Sequence, residues 1–224
     1  LKRSLWTWAL RGARARVAVS AAAADATPGA PPEVLHPSLV DAVRVARAPA
    51  AARRALGLPE APLVLSLGRR TPIKGLDNLV AAARTHRGAQ WWHLGPGTPP
   101  AEPGPVQFAP AVADVRPWLH AADVYVQSSR SEGFPQALLE ALSAEVPVVA
   151  TRVGGTAELL RGRGWLVPPG DPAQLAEAVR RVLSDPAGAR AVAADARATL
   201  AERGLTRADA SLGARQLTVR VIAD

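Results

Sequence analysis

From residue 61 onward, apolar runs of three to five residues alternate with stretches whose apolar side chains recur at helical spacing. Leu63–Leu67 lies between Pro62 and Gly68 and has the length and composition of a buried strand. Gln90–Leu94, Val106–Phe108, Val124–Val126, Val148–Ala150 and Trp165–Val167 read the same way. Helices are expected over 76–86, 113–121, 136–145, 156–161 and 172–184, with a mostly helical tail from 187 to about 221. Apolar strands separated by helices imply crossover connections and a parallel sheet covered on both faces. Six of them make an α/β, Rossmann-like doubly wound parallel sheet of roughly 160 residues. Such a sheet binds ligands at the carboxyl ends of its strands, so the loops there carry the function.

Composition bounds the function classes. The 224 residues are 48% hydrophobic, enough for one large domain with a sizeable core. No apolar run approaches the roughly 20 residues of a membrane-spanning helix. Cysteine is absent, which excludes disulfides and thiolate metal sites or nucleophiles and fits a cytoplasmic protein. The net charge is +8, but the arginines are spread along the whole length, and aromatics at 4% are too few for a base-stacking surface. No nucleic-acid partner is expected. His36, His86, His93 and His120 are scattered, no acid–histidine cluster suggests a metal, and no cofactor is expected.

The first sixty residues are less regular. Residues 1–12 read as a short helix, and Arg11, Arg14 and Arg16 break the apolar stretch too early for a secretory signal. Val17–Ser20 reads as a strand end, Ala26–Pro32 as a Pro/Ala-rich linker, and 49–57 as a short helix ending at Gly57. The chain begins at Leu1 and lacks methionine, so it is read as a fragment.

Three strand-to-helix loops hold the chemistry. In the first, Gly68-Arg69-Arg70-Thr71-Pro72-Ile73-Lys74-Gly75, Arg69 and Lys74 set positive charge over a strand end, beside a helix start, an arrangement suited to a diphosphate. Lys2 is the only other lysine, so Lys74 stands out. The same loop reads equally well as a solvated basic turn. Leu76 follows Gly75 where a Walker A loop needs Ser or Thr, and no G-x-G-x-x-G opens a first strand–helix turn. The second loop runs Ser128-Ser129-Arg130-Ser131-Glu132-Gly133-Phe134-Pro135-Gln136, with Pro135 expected at the first helical position and Glu140 two turns in. Glu132 and Glu140 could hydrogen-bond neighbouring hydroxyls of one elongated ligand, or be a helix-start glutamate and a solvated one. The third, Thr151-Arg152-Val153-Gly154-Gly155-Thr156-Ala157-Glu158, pairs two glycines that suit close approach to a ligand or a plain turn.

In order and spacing, these loops resemble the C-terminal, donor-binding domain of group 1 (family 4) retaining glycosyltransferases of the GT-B fold. Gly68, Arg69, Lys74 and Gly75 match that family's G-R-x(4)-K-G, and Glu132 and Glu140 its E-x(7)-E. Pro147–Thr151, Val153-Gly154-Gly155 and Glu158 agree as well. The resemblance covers about residues 33–205, and Ala13–Ser20 is similar to the last strand of the family's N-terminal domain. It implies a division into 1–32, the end of that domain and a linker, and 33–224, the donor-binding domain with C-terminal helices. It also implies that Arg69 and Lys74 hold the diphosphate of a nucleotide-sugar, UDP- or GDP-linked. Glu140 would bind the ribose, and Glu132, with the backbone of Gly133 and Phe134, the transferred sugar. Gly68, Pro135, Gln136, Gly154 and Gly155 complete the expected donor site. The base would lie near Ala109–Val112, where this chain has Pro110 in place of the family's glycine, and Pro96 replaces a usual acid.

The resemblance further implies sugar transfer with retention to a saccharide or lipid-linked acceptor, in surface polysaccharide, lipopolysaccharide or glycolipid synthesis. That reaction is cytoplasmic, at the inner face of the membrane where the intact enzyme makes peripheral contact. The fragment alone is expected to be inactive, because the acceptor site belongs to the other domain. The alternative is a nucleotide-binding module without transferase activity. A nucleotide-sugar epimerase or dehydrogenase would need a Tyr/Lys pair, and Tyr125, the sole tyrosine, falls in an expected strand.

Overall fold

The computed structural model describes residues 17, 18, 20–26, 33, 34, 48–203 and 205. The helices expected over 1–12 and beyond residue 205 lie outside the described residues. A two-residue strand β1 (Val17–Ala18) pairs in parallel with β2 (Glu33–Val34), so this pairing straddles the boundary expected after residue 32. Between them is α1 (Ala21–Asp25), capped by Ser20, whose Oγ accepts from the Ala23 N–H at 3.1 Å. Helix α2 (Pro49–Ala55) leads into the main sheet.

That sheet has six parallel strands: β3 (Leu63–Leu67), β4 (Gln90–Leu94), β5 (Val106–Ala109), β6 (Val124–Gln127), β7 (Val148–Thr151) and β8 (Trp165–Val167). Each lies within one residue of its expected place. Their spatial order is β5-β4-β3-β6-β7-β8, with Leu63 beside Gln90, Val64 beside Val124, Tyr125 beside Val148 and Val149 beside Trp165. The chain winds one way from β3 and then the other from β6, the doubly wound arrangement.

Period-two alternation sorts the core into two layers. Leu63, Leu65, Tyr125, Val148 and Ala150 face one cluster; Val64, Val124, Val126 and Val149 face the other. The first layer is closed by α4 (Arg116–Ala121), α5 (Gln136–Ser143), α6 (Thr156–Leu160) and α8 (Pro186–Glu202). The second is closed by α3 (Leu76–Thr85) and α7 (Pro172–Ser184). Asp171 caps α7 through the Gln174 N–H at 2.9 Å, and Pro172 suits its first turn. Several helices are shorter than the sequence suggests, and for two the cause is plain. Asp114 turns back to accept the Arg116 N–H at 3.0 Å, which delays α4 to residue 116. Glu145 takes a left-handed φ of 54°, which ends α5 before Pro147.

The amino ends of the strands are pinned by Arg53. Its Nη1 donates to the Ala121 carbonyl at 2.9 Å and to Asp123 Oδ2 at 2.7 Å, and Asp123 also accepts from the Leu63 N–H at 2.8 Å. With the arginine side chain 10% exposed, truncation strands a carbonyl and a carboxylate together. Arg53→Ala is expected to cost about 3 kcal/mol of folding stability, measured by urea unfolding.

Candidate functional site

The strand order reverses between β3 and β6, and the loops leaving these two strands flank the crevice that the reversal opens. The β3 loop passes through a 3-10 turn, Pro72–Lys74, into α3; the β6 loop runs through Glu132 to α5. The two are bound together tightly. Gly75 stands at φ 60°, and a Cβ there would overlap the Ser128 carbonyl oxygen. Ser128 Oγ donates to the Lys74 carbonyl at 3.0 Å, and the Arg130 N–H to the Ile73 carbonyl at 2.7 Å.

A cavity of about 370 Å³ lies between these loops. Gly68, Arg69 and Lys74 line it from the β3 side, and Glu132, Phe134, Pro135 and Gln136 from the β6 side. Lys74 Nζ and Glu132 Oε1 are 2.6 Å apart, and Ser129 Oγ donates to the same oxygen at 2.6 Å. The Glu132 side chain is only 9% exposed, so this charge needs both partners to be tolerated. Ser129 is itself held, its carbonyl accepting from Thr151 Oγ1 at 2.6 Å. Arg69 is exposed and has no ion-pair partner among the described residues. The cavity thus carries one cation committed to a carboxylate and one turned to solvent.

The start of α5 adds partial positive charge. Pro135 occupies the cap position (φ −78°, ψ 103°) rather than the expected first helical position, and no side chain caps the helix. The first amides of α5 therefore lack intrahelical acceptors, and Gln136 and Ala137 lie at the cavity wall. Together, two basic side chains and a helix start can hold a doubly charged anion, while the Glu132 carboxylate can accept from hydroxyls.

Four of the expected site residues lie outside this lining. Gly133 is exposed, next to Glu132. Glu140 sits half-buried farther along α5, where burial pushes its carboxyl above the usual carboxylate range. Gly154 and Gly155 approach the loop itself. A Cβ on Gly154 (φ 47°) would overlap the Glu132 carbonyl oxygen, and the Gly155 N–H donates to the Gly133 carbonyl at 3.0 Å. Their closeness fixes the backbone that carries Glu132. Tyr125, below the cavity, is fully buried; burial and the nearby Glu132 and Glu140 charges push its phenol far above its ordinary range. Ser129 and Thr151 were not expected in the site: Ser129 had no signal beyond being a loop hydroxyl, and Thr151 entered only as the end of the Pro147–Thr151 match.

Where a base is expected, the Ala109 carbonyl accepts from Arg70 Nη2, and Arg70 Nη1 donates to the Gly97 carbonyl at 2.8 Å. The Arg70 guanidinium lies 5.5 Å above the Phe108 ring. A wider groove of about 590 Å³ opens beside Ile73, Pro99 and Pro100, but its arginines are already held. Arg70 is spent on those carbonyls, and Arg130 on Asp77 and the Pro72 carbonyl. The smaller cavity is where the chemistry converges. Among the described residues, no His/Asp/Glu group could hold a metal ion, and no helix is long and apolar enough to cross a membrane.

Residues 61–185, more than half the chain, match the family model for glycosyl transferases group 1. The chain belongs to that family. LpsE, a lipopolysaccharide core biosynthesis glycosyltransferase of Rhizobium meliloti (strain 1021), is 34% identical over 157 residues, 65% of this chain and 44% of LpsE. The D-inositol 3-phosphate glycosyltransferase of Kineococcus radiotolerans is 34% identical over 201 residues, 73% of this chain and 46% of that protein. This group 1 chain therefore spans less than half the length of these two relatives. In fold it matches Anabaena Alr3699/HepE, solved in complex with UDP-glucose: TM-score 0.80 and 22% identity over 93% of this chain and 65% of HepE. The six-stranded sheet is thus that of a GT-B glycosyltransferase half.

Glu140 makes a pH-dependent test of the site. Its folded-state pKa is raised by burial, so the contribution of the neutral acid to stability is present below the usual carboxylate range and is lost as pH rises towards the raised value. Glu140→Gln, which keeps the shape without the charge, is expected to melt above wild type at pH 7.5 and level with it at pH 4. Thermal unfolding at the two pH values checks this.

Proposed function

We propose that this chain is the donor-binding half of a retaining glycosyltransferase. It holds a nucleoside-diphosphate sugar, UDP- or GDP-linked, whose hexose-type sugar the intact enzyme transfers with retention to a saccharide or lipid-linked acceptor. The products are surface polysaccharide, lipopolysaccharide or glycolipid, made in the cytoplasm at the inner face of the membrane. The observation that carries this reading is the convergence of Arg69, Lys74, Glu132 and the start of α5 on one cavity at the sheet's switch point. The role of LpsE in lipopolysaccharide core biosynthesis and the UDP-glucose held by HepE support the same chemistry.

Breaking a sugar–phosphate bond builds negative charge on the departing diphosphate and positive charge on the anomeric carbon. In this reading Arg69, Lys74 and the α5 amides answer the first and Glu132 serves the sugar, while Glu140, farther along α5 and outside the cavity lining, is assigned to the ribose hydroxyls by the family resemblance alone. Lys74 is shared in this scheme. A diphosphate draws it from Glu132, and the carboxylate then turns to the sugar. Transfer needs the acceptor-binding half, so the chain alone binds donor without turnover.

Calorimetric titration with UDP, GDP, ADP and dTDP tests the reading. One of them is expected to bind, with affinity lower by about 100-fold or more in Arg69→Ala/Lys74→Ala, since each charged hydrogen bond is worth about 1.5–3 kcal/mol. Binding to none, or binding indifferent to both substitutions, overturns the donor site. Donor binding without turnover in the full polypeptide leaves a nucleotide-binding module instead.

A further inference from the structure

His93, on β4, is a buried group that the proposed mechanism does not use. It is 1% exposed and lies at the floor of the same cavity. One ring nitrogen, Nε2, is 3.0 Å from the Gly68 carbonyl oxygen, and the other, Nδ1, is 3.1 Å from Ser66 Oγ. A carbonyl has no proton to give, so Nε2 carries the hydrogen and donates it to Gly68. In the neutral ring Nδ1 is then an acceptor, and Ser66 Oγ donates to it. Burial, with the nearby Arg70 and Lys74 charges, pushes the imidazole down to about 4, so the ring is neutral at physiological pH.

The Gly68 peptide is held from a second direction. Gly95, at φ 156°, is packed so closely that a Cβ would overlap the same Gly68 oxygen. Both His93 and Gly95 belong to the β4 side of β3, whereas, His93 apart, the cavity lining beyond the β3 side comes from β6, its loop and the start of α5. In a trans peptide, C=O and N–H point in opposite directions. With its oxygen turned to β4, the Gly68–Arg69 peptide directs the Arg69 N–H towards the cavity. That N–H donates to none of the described residues.

We infer that His93 is a positioning residue that turns the Gly68–Arg69 peptide so that the Arg69 N–H becomes a donor to the anionic group bound beside Lys74. The inference rests on the donor-site reading and deepens it: the diphosphate is held by a backbone amide as well as by side chains. His93 never touches the ligand. Glutamine can replace it, because its carboxamide nitrogen reaches as far as Nε2; asparagine is too short, and leucine has no donor.

The test uses the full polypeptide, 15N-labelled, and UDP, or whichever of GDP, ADP and dTDP binds. Nitrogen shifts of His93 are expected to report the Nε2–H tautomer without titration from pH 5.5 to 8. The Arg69 amide proton is expected to move downfield on saturation. His93→Leu is expected to weaken binding about tenfold and abolish that movement, while His93→Gln restores both to near wild type. Should the leucine variant not fold, His93→Asn takes its place with the same expectation. An Nδ1–H tautomer, a ring titrating near its ordinary value, or a leucine or asparagine variant that binds like wild type overturns the proposal. If binding still depends on Lys74 in that last case, the donor site stands and only the role of His93 falls. A wild type that binds no nucleoside diphosphate overturns both.

Discussion

The contact between Lys74 and Glu132 is what the rest of the site is built around. It joins two loops that leave the sheet on either side of the point where strand order reverses, and it places opposite charges 2.6 Å apart where the carboxylate is almost dry. A pair of this kind is stable only when each partner is fully satisfied. Ser129 supplies the second hydrogen bond to Oε1, and Thr151 holds Ser129. A ligand that competes for Lys74 changes the state of Glu132 as well, so under the proposed function phosphate and sugar recognition would share one side chain.

The loops can meet there only because glycine stands at each crossing. Gly75 lies against the Ser128 carbonyl, Gly95 against Gly68 and Gly154 against Glu132, each too close for any Cβ. These contacts are between backbones, so they hold whatever occupies the cavity. Beneath them the two apolar layers of the sheet and the Arg53–Asp123 anchor at the opposite strand ends supply stability. The polar end of the sheet can then be arranged for binding rather than for folding.

How much of this was legible in the sequence follows from the range of each interaction. The six strands were readable because a strand buried on both faces must be apolar along its length, as Leu63–Leu67 and Val148–Ala150 are. Lys74 and Glu132 were readable as loop charges at strand ends, though their direct contact was not. Gly154 and Gly155 looked suited to ligand approach; only the fold puts Glu132 and Gly133 against them. His93 looked like one of four scattered histidines, because the Gly68 carbonyl that gives it a role is 25 positions away. Local rules of capping and turn chemistry also shortened α4 and moved Pro135 by one position, which periodicity alone does not resolve.

The most direct test of the central claim is a crystal structure with a bound nucleoside diphosphate. The phosphates are expected between Arg69, Lys74 and the first amides of α5, with Lys74 Nζ withdrawn from Glu132. Phosphates lodged instead in the groove beside Ile73 and Pro99, with the Lys74–Glu132 contact intact, would contradict it.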